Sequence, residues 1–135
     1  MSKKVILTGA AGAIGGAIAT RLAAGGWAVV GMDRAFPDTA VPLAERVEQD
    51  ITDFAGLRAA LRRIVAGGEV RGLVNCAGLT AVGRFFDQAP ETWEALIAVN
   101  LTAAIHACHV VVPAMIEAGG GSVVNIISDS ARAGA

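Results

Sequence analysis

Short runs of consecutive apolar residues alternate along this chain with stretches whose apolar positions recur every three or four residues. Val5-Ile6-Leu7-Thr8 reads as a strand with no polar alternation, as expected of a strand buried on both faces. Gly9 to Gly16 is a glycine-rich turn that runs into a helix over Ile14 to Ala24, stopped by Gly25-Gly26. Trp27 to Met32 forms a second strand ending at Asp33, and Pro37 and Pro42 mark the stretch 35–42 as a loop. Arg46-Val47-Glu48 is a short third strand leading to Asp50. From Asp53 to Ala66, Phe54, Leu57, Leu61, Ile64 and Val65 fall on one helical face, closed by Gly67-Gly68. Leu73-Val74-Asn75 is a fourth strand, after which Ala77-Gly78 turns the chain. Pro90 opens a long helix, at a position where its missing N–H leaves no bond unmade. That helix runs to Ala118, with Pro113 expected to kink it and Gly119-Gly120-Gly121 to end it. Ser122 to Ile127 is a fifth strand.

Five strands joined by helical crossovers predict a Rossmann-type, doubly wound α/β fold: a parallel sheet with helices on both faces. With 135 residues and no linker or repeat, the chain is expected to form a single domain. Composition sharpens this picture. Apolar residues make up 54%, or about two-thirds once the 17 glycines are counted, well above the usual ~45–50%. That excess calls for buried parallel strands, a large association surface, or further sequence to cover it.

A net charge of -1 without any Lys/Arg run argues against nucleic acid or an anionic membrane as partner. Met1-Ser2-Lys3-Lys4 leads straight into the first strand, so no signal peptide is expected. The apolar tract from Leu96 to Met115 is interrupted by Asn100, His106, His109 and Pro113, so no membrane span is expected. Cys76 and Cys108 lie far apart with no metal-ligand spacing, which fits free thiols and a cytoplasmic location. His106 and His109 are three apart on an apolar helix with no third ligand in view, so no metal is expected.

Candidate chemistry begins at the first turn. Thr8-Gly9-Ala10-Ala11-Gly12-Ala13-Ile14-Gly15 follows a strand and opens a helix, the context in which such glycines can cradle a diphosphate. Gly9 permits the tight turn, and Gly15 and Gly16 allow helix and strand to pack closely. The same pattern could be a bare glycine-rich helix start. Asp33 favours the ligand: it ends the second strand 18 residues after Gly15, where a carboxylate can accept hydrogen bonds from the adenosine ribose hydroxyls. Its charge would oppose a phosphate on that ribose, so NAD is preferred over NADP, although Arg34 next to it could pair with one.

Together these residues resemble the short-chain dehydrogenase/reductase family, and the likeness runs over the whole chain. Thr8 to Gly15 matches the family's Thr-Gly-x-x-x-(Ala/Gly)-x-Gly signature with Ala13 at the variable place, and it also fits the extended, epimerase-like branch. Leu73-Val74-Asn75-Cys76-Ala77-Gly78 selects the classical branch. It is similar to the family's Asn-Asn-Ala-Gly motif, with Cys76 in place of the second Asn.

The resemblance implies cofactor contacts by Gly9, Ala11, Gly12, Ala13, Ile14, Gly15, Asp33 and Arg34. It adds Asp50-Ile51 near the adenine and Asn75, Ala77 and Gly78 on the adenosine side. Asp50 could instead cap the following helix. Asn100 matches the Asn of the family's catalytic tetrad, which holds a water of the proton relay; a structurally satisfied core Asn is the alternative. Ser128 matches the catalytic serine that donates a hydrogen bond to the substrate's carbonyl oxygen, with Ser130 its near competitor.

By the same resemblance, the acid is a Tyr followed four residues later by a Lys, about a dozen residues beyond the serine. This chain has no Tyr, its lysines are Lys3 and Lys4, and seven residues follow Ser128. The expectation is therefore an NAD-dependent oxidoreductase interconverting a secondary alcohol and a ketone, truncated after its fifth strand and doubtful as a catalyst alone. A non-catalytic dinucleotide-binding module, or a decayed fragment, is the alternative. The family also implies a homo-oligomer, assembled partly through the helix over 90–118.

Overall fold

The computed structural model describes residues 3–37 and 40–133. Five parallel strands form one sheet in the order β3-β2-β1-β4-β5. They are β1 (Lys4–Thr8), β2 (Ala28–Asp33), β3 (Glu45–Glu48), β4 (Val70–Asn75) and β5 (Ser122–Asn125). β1 is central, with Ile6 paired to Val30 on one side and Leu73 on the other.

Alternation along the strands sorts the core into two layers, because successive side chains point to opposite faces. Ile6, Val30, Met32 and Leu73 face one way, against α2 (Phe54–Ala66) and α4 (Ala103–Glu117). There Leu57, Leu61, Ile64, Ala107, Val111 and Met115 complete the layer. Val5, Leu7, Val29 and Val74 face the other way, against Ala19 and Leu22 of α1 (Ala13–Ala24) and against Trp27, Val41 and Leu43. Helices on both faces of a parallel sheet make this the doubly wound, Rossmann-type fold that the sequence pattern predicts.

The expected long helix is built in three pieces: α3 (Pro90–Ile97), a π turn (Ala98–Thr102) and α4. Its irregularity therefore falls around Asn100, while Pro113 lies within α4. The fifth strand ends at Asn125, two residues before its expected end, and a short helix, α5 (Ser130–Ala133), follows. β5 is an edge strand, and all four of its residues are exposed.

The connection from β1 goes to β2 on one side and that from β3 crosses to β4 on the other. The topological switch point thus lies between β1 and β4, and ligands of open α/β sheets bind beyond the carboxyl ends of the strands there.

Candidate active site at the switch point

The loop after β1 is held shut by contacts that only glycine allows. Gly9 has φ of +69°, and a Cβ there would lie 2.8 Å from both the nitrogen and the Cα of Ala77. A Cβ on Gly15 would strike the carbonyl oxygen of Gly9. By contrast, a Cβ on Gly12 would meet that oxygen at an ordinary 3.4 Å, so Gly12 is not dictated by packing.

Gly12 is the N-cap of α1, no side chain caps the helix, and its first turn holds no acidic residue. The first N–H groups of a helix have no partner within it, so this end presents donors and positive potential to the cleft. Thr8 ties the loop to the neighbouring strand: its Oγ1 accepts from the N–H groups of Cys76 and Ala77, each at 3.1 Å.

Asp33, at the end of β2, accepts from the Ala11 N–H through Oδ2 at 2.9 Å and from the Arg34 N–H through Oδ1 at 2.8 Å. Asp50 accepts from both the backbone N–H (2.9 Å) and the hydroxyl (2.7 Å) of Thr52. Those two bonds, helped by the nearby charge of Arg34, hold its carboxyl below the usual value against a small opposing effect of burial. The cap of α2 is not Asp50 but Asp53, whose carboxylate accepts from Gly56 N–H.

On the far side of β1, Asn75 is buried, and its amide donates to Asn125 Oδ1 at 2.8 Å and towards Cys108 Sγ at 3.7 Å. Burial, and secondarily the charge of Asp33, push the Cys76 thiol up. Asn100 is clamped to Leu79: its Oδ1 accepts the Leu79 N–H at 2.9 Å and its Nδ2 donates to the Leu79 carbonyl at 2.8 Å. Ser128 is exposed, and its Oγ accepts the N–H of Ser130 at 3.2 Å, which leaves its own O–H to donate elsewhere.

One open cleft of about 1640 Å³ gathers these groups. It is lined by Gly9, Gly12, Ala13, Ile14 and Gly15 from the glycine loop, by Asp33, Arg34, Asp50 and Ile51 from the ends of β2 and β3, and by Asn75, Ala77 and Gly78 beyond β4. Asn100 and Ser128 stand on its other walls. Ala11 does not line it; its N–H is turned to Asp33 instead.

Reading the sequence did not single out the side-chain roles of Thr8 or Asn125. Which hydroxyl or amide bridges two strands depends on the strand order. His106 and His109 lie away from the cleft, with both Nδ1 atoms facing Arg58 at 3.3 and 3.1 Å. A guanidinium between the two rings opposes a cation there. Among the described residues no cluster of three or more His, Cys, Asp or Glu is assembled.

Comparison with known proteins agrees with this architecture. The family model for short chain dehydrogenase matches residues 3–135. The chain is 37% identical over 139 residues to short chain dehydrogenase andC of Emericella variicolor, covering 98% of this chain and 55% of that one. Among solved structures it is similar to ligand-free aldohexose dehydrogenase of Thermoplasma acidophilum (TM-score 0.87, 32% identity, 96% of this chain and 51% of that one). It is also similar to a metagenomic short-chain oxidoreductase in complex with NADP (TM-score 0.85, 33% identity, 95% and 63%). The chain thus spans about half the length of the curated relatives it matches. A parallel sheet in this order, a glycine loop closed on Ala77 and a family match over nearly every residue place the chain in the short chain dehydrogenase family.

Proposed function

We propose that the cleft holds a dinucleotide, NAD in preference to NADP, and that the chain supplies the cofactor-binding part of an oxidoreductase interconverting a secondary alcohol and a ketone. The observation that carries this is the uncapped N-terminus of α1 at Gly12, which opens on the cleft where packing leaves space, beside a loop that the close contacts of Gly9 and Gly15 hold in place. Gly12, Ala13, Ile14 and Gly15 would hold the diphosphate on their backbone. Asp33 would accept from the adenosine ribose, Asp50 and Ile51 would flank the adenine, and Asn75, Ala77 and Gly78 would line the adenosine side.

The preference for NAD rests on charge. Two carboxylates, Asp33 and Asp50, stand at this end of the cleft against one guanidinium, and part of the field of Arg34 falls on Asp50. A ribose phosphate would have to sit among them. The bound cofactor would accept or give a hydride; the protein's part is to place the substrate against it and manage the proton. Ser128, with its O–H free to donate, is assigned the hydrogen bond to the substrate oxygen. Asn100 would fix the wall at Leu79 and has a lone pair of Oδ1 to spare for a water.

None of the 135 residues is a Tyr, so the proton-transfer step is assigned to no residue of this chain. A second reading is a dinucleotide-binding module without catalysis of its own. Self-association is proposed through Trp93, Ile97, Leu101 and Ile105. These residues recur every four positions along the long helix, and all are exposed.

Calorimetric titration with NAD and NADP, followed by assay against a panel of secondary alcohols, tests the proposal. NAD binding at least about tenfold tighter than NADP is expected. No binding of either would overturn it, and binding without turnover would favour the second reading.

A further inference from the structure

We propose that Asp33 is a positioning residue for the glycine loop as well as a reader of the ribose, so that its carboxylate cannot be exchanged without loosening the diphosphate cradle. This rests on the nucleotide reading above and goes beyond it. The loop is joined to β2 by two successive bonds. The Ala10 N–H donates to the Met32 carbonyl at 3.3 Å, and the Ala11 N–H donates to Asp33 Oδ2 at 2.9 Å. The carboxylate thus takes the place that a backbone carbonyl would fill if the ladder went on past the strand end.

The other oxygen, Oδ1, is held by the N–H of Arg34 at 2.8 Å. Two backbone donors therefore converge on one side chain from opposite sides. A carboxylate, with about four acceptor positions, can satisfy both and still accept from a ribose. An amide offers one acceptor oxygen and turns an NH₂ towards the other donor; a serine hydroxyl reaches only one. Charge strengthens both bonds, since hydrogen bonds to an ionised acceptor are roughly twice as strong as neutral ones.

The close packing of the neighbouring backbone makes this bond matter. Gly31, two residues before Asp33, has no room for a Cβ between Leu43 and Ala10 Cβ (2.8 Å from the latter), so the loop at Ala10 lies close against the strand. Releasing Ala11 frees the residue just before the helix cap Gly12. The consequence for specificity is that neutralising Asp33 removes the repulsion of a ribose phosphate and damages the cradle at once. Such a variant should not become a good binder of NADP.

The test is a cycle of two proteins and two ligands on the full chain. The parent and D33A, which removes both acceptor oxygens, are titrated with NAD and with an NAD analogue whose adenosine ribose is 2′,3′-dideoxy, which has no hydroxyl for Asp33 to hold. Amide exchange is followed at Ala11 and, as a control for the fold, at Ile6 and Leu73 in the core strands. The expected result is that D33A binds the dideoxy analogue about tenfold or more weakly than the parent does, as loss of one charge-assisted bond implies. Ala11 exchange is expected to quicken while Ile6 and Leu73 stay protected. If D33A binds the analogue as tightly as the parent, or Ala11 exchange is unchanged, Asp33 does not brace the loop. Quickened exchange at all three amides equally also overturns it, since that is general unfolding. Should neither protein bind NAD at all, the nucleotide reading falls, and the exchange comparison alone decides the brace.

Discussion

Asn100 holds Leu79 by both polar atoms of its amide, accepting its N–H and donating to its carbonyl, across 21 residues of chain. The pair fastens the start of the loop after β4 to the π turn of the long helix, and so fixes the distance between two walls of the cleft. N100A is expected to cost about 1 kcal/mol of stability in thermal or urea unfolding. N100D keeps the acceptor but sets a charged oxygen against the Leu79 carbonyl. Repulsion by the carbonyl raises the folded pKa of that carboxyl, so the variant's deficit should shrink as pH falls towards the unfolded value of ~3.9 and the donor is restored. An N100D variant as stable as the parent at neutral pH would show that the clamp contributes nothing.

Thr8 is buried, and its hydroxyl is the acceptor for two backbone N–H groups. T8V preserves the shape but leaves both donors without that acceptor, and a loss of about 1–3 kcal/mol follows from the cost of an orphaned buried donor. T8S should recover most of it, as read from urea midpoints. Equal losses in T8V and T8S would mean that the methyl group, not the hydroxyl, is what matters.

The glycines of the loop separate into two kinds. G15A drives a methyl into the Gly9 carbonyl, so it should lower stability and abolish nucleotide binding together. G12A has room for its methyl and should cost about 1 kcal/mol or less as a poorer helix cap, yet weaken NAD binding, because the ligand rather than the fold needs that space. Calorimetry beside thermal unfolding for both variants checks this, and unchanged affinity in G12A would count against the diphosphate site.

Asp50 gives the site a pH signature. Its two bonds from Thr52 hold the folded carboxyl below the ordinary value of 3.8. A carboxyl depressed in the folded state contributes stability that is present above the unfolded pKa and is lost as pH falls through the folded one. The loss therefore belongs below pH 3.8, and near-neutral stability should not depend on the protonation of Asp50. Carboxyl titration by NMR should place Asp50 below the ordinary value in the parent and closer to it in T52A. No difference between the two proteins would remove the Thr52 hydroxyl as a cause and leave its backbone N–H.

The fold was legible because apolar runs and helical periodicity are local properties, and each strand overlaps the stretch that shows it, although β4 begins at Val70, three residues before its apolar run. The site was legible as far as its residues are tied to a strand end: Gly9 and Asp33 each follow or close a strand, so the topology brings them to one cleft. Partners set by strand order were not legible. The pairing of Asn75 with Asn125, and the attachment of Thr8 to Ala77, need the knowledge that β4 lies between β1 and β5. The π turn was not legible because Asn100 sits among apolar residues whose spacing continues an α-helix, and the Leu79 backbone to which it bonds lies outside any sequence window around it. Pro113, where a kink is expected, lies within α4, and the glycines after Ala118 end the helix.

The exposed stripe of Trp93, Ile97, Leu101 and Ile105 carries the proposal of self-association. L101D with I105K should shift the protein towards monomer in light scattering with little loss of stability, since both side chains are more than half exposed, at 55% and 57%. A parent that is already monomeric at high concentration would contradict it.

The central claim is that a dinucleotide lies across the switch point with its diphosphate at the start of α1. Amide shift mapping of the isotope-labelled chain during NAD addition tests it most directly. Shifts concentrated at Gly9 to Gly15, at Asp33, at Asp50 and Ile51, and at Ala77 and Gly78 are the predicted result. Saturating NAD that leaves these amides in place, or that moves only residues outside the cleft, would contradict the account.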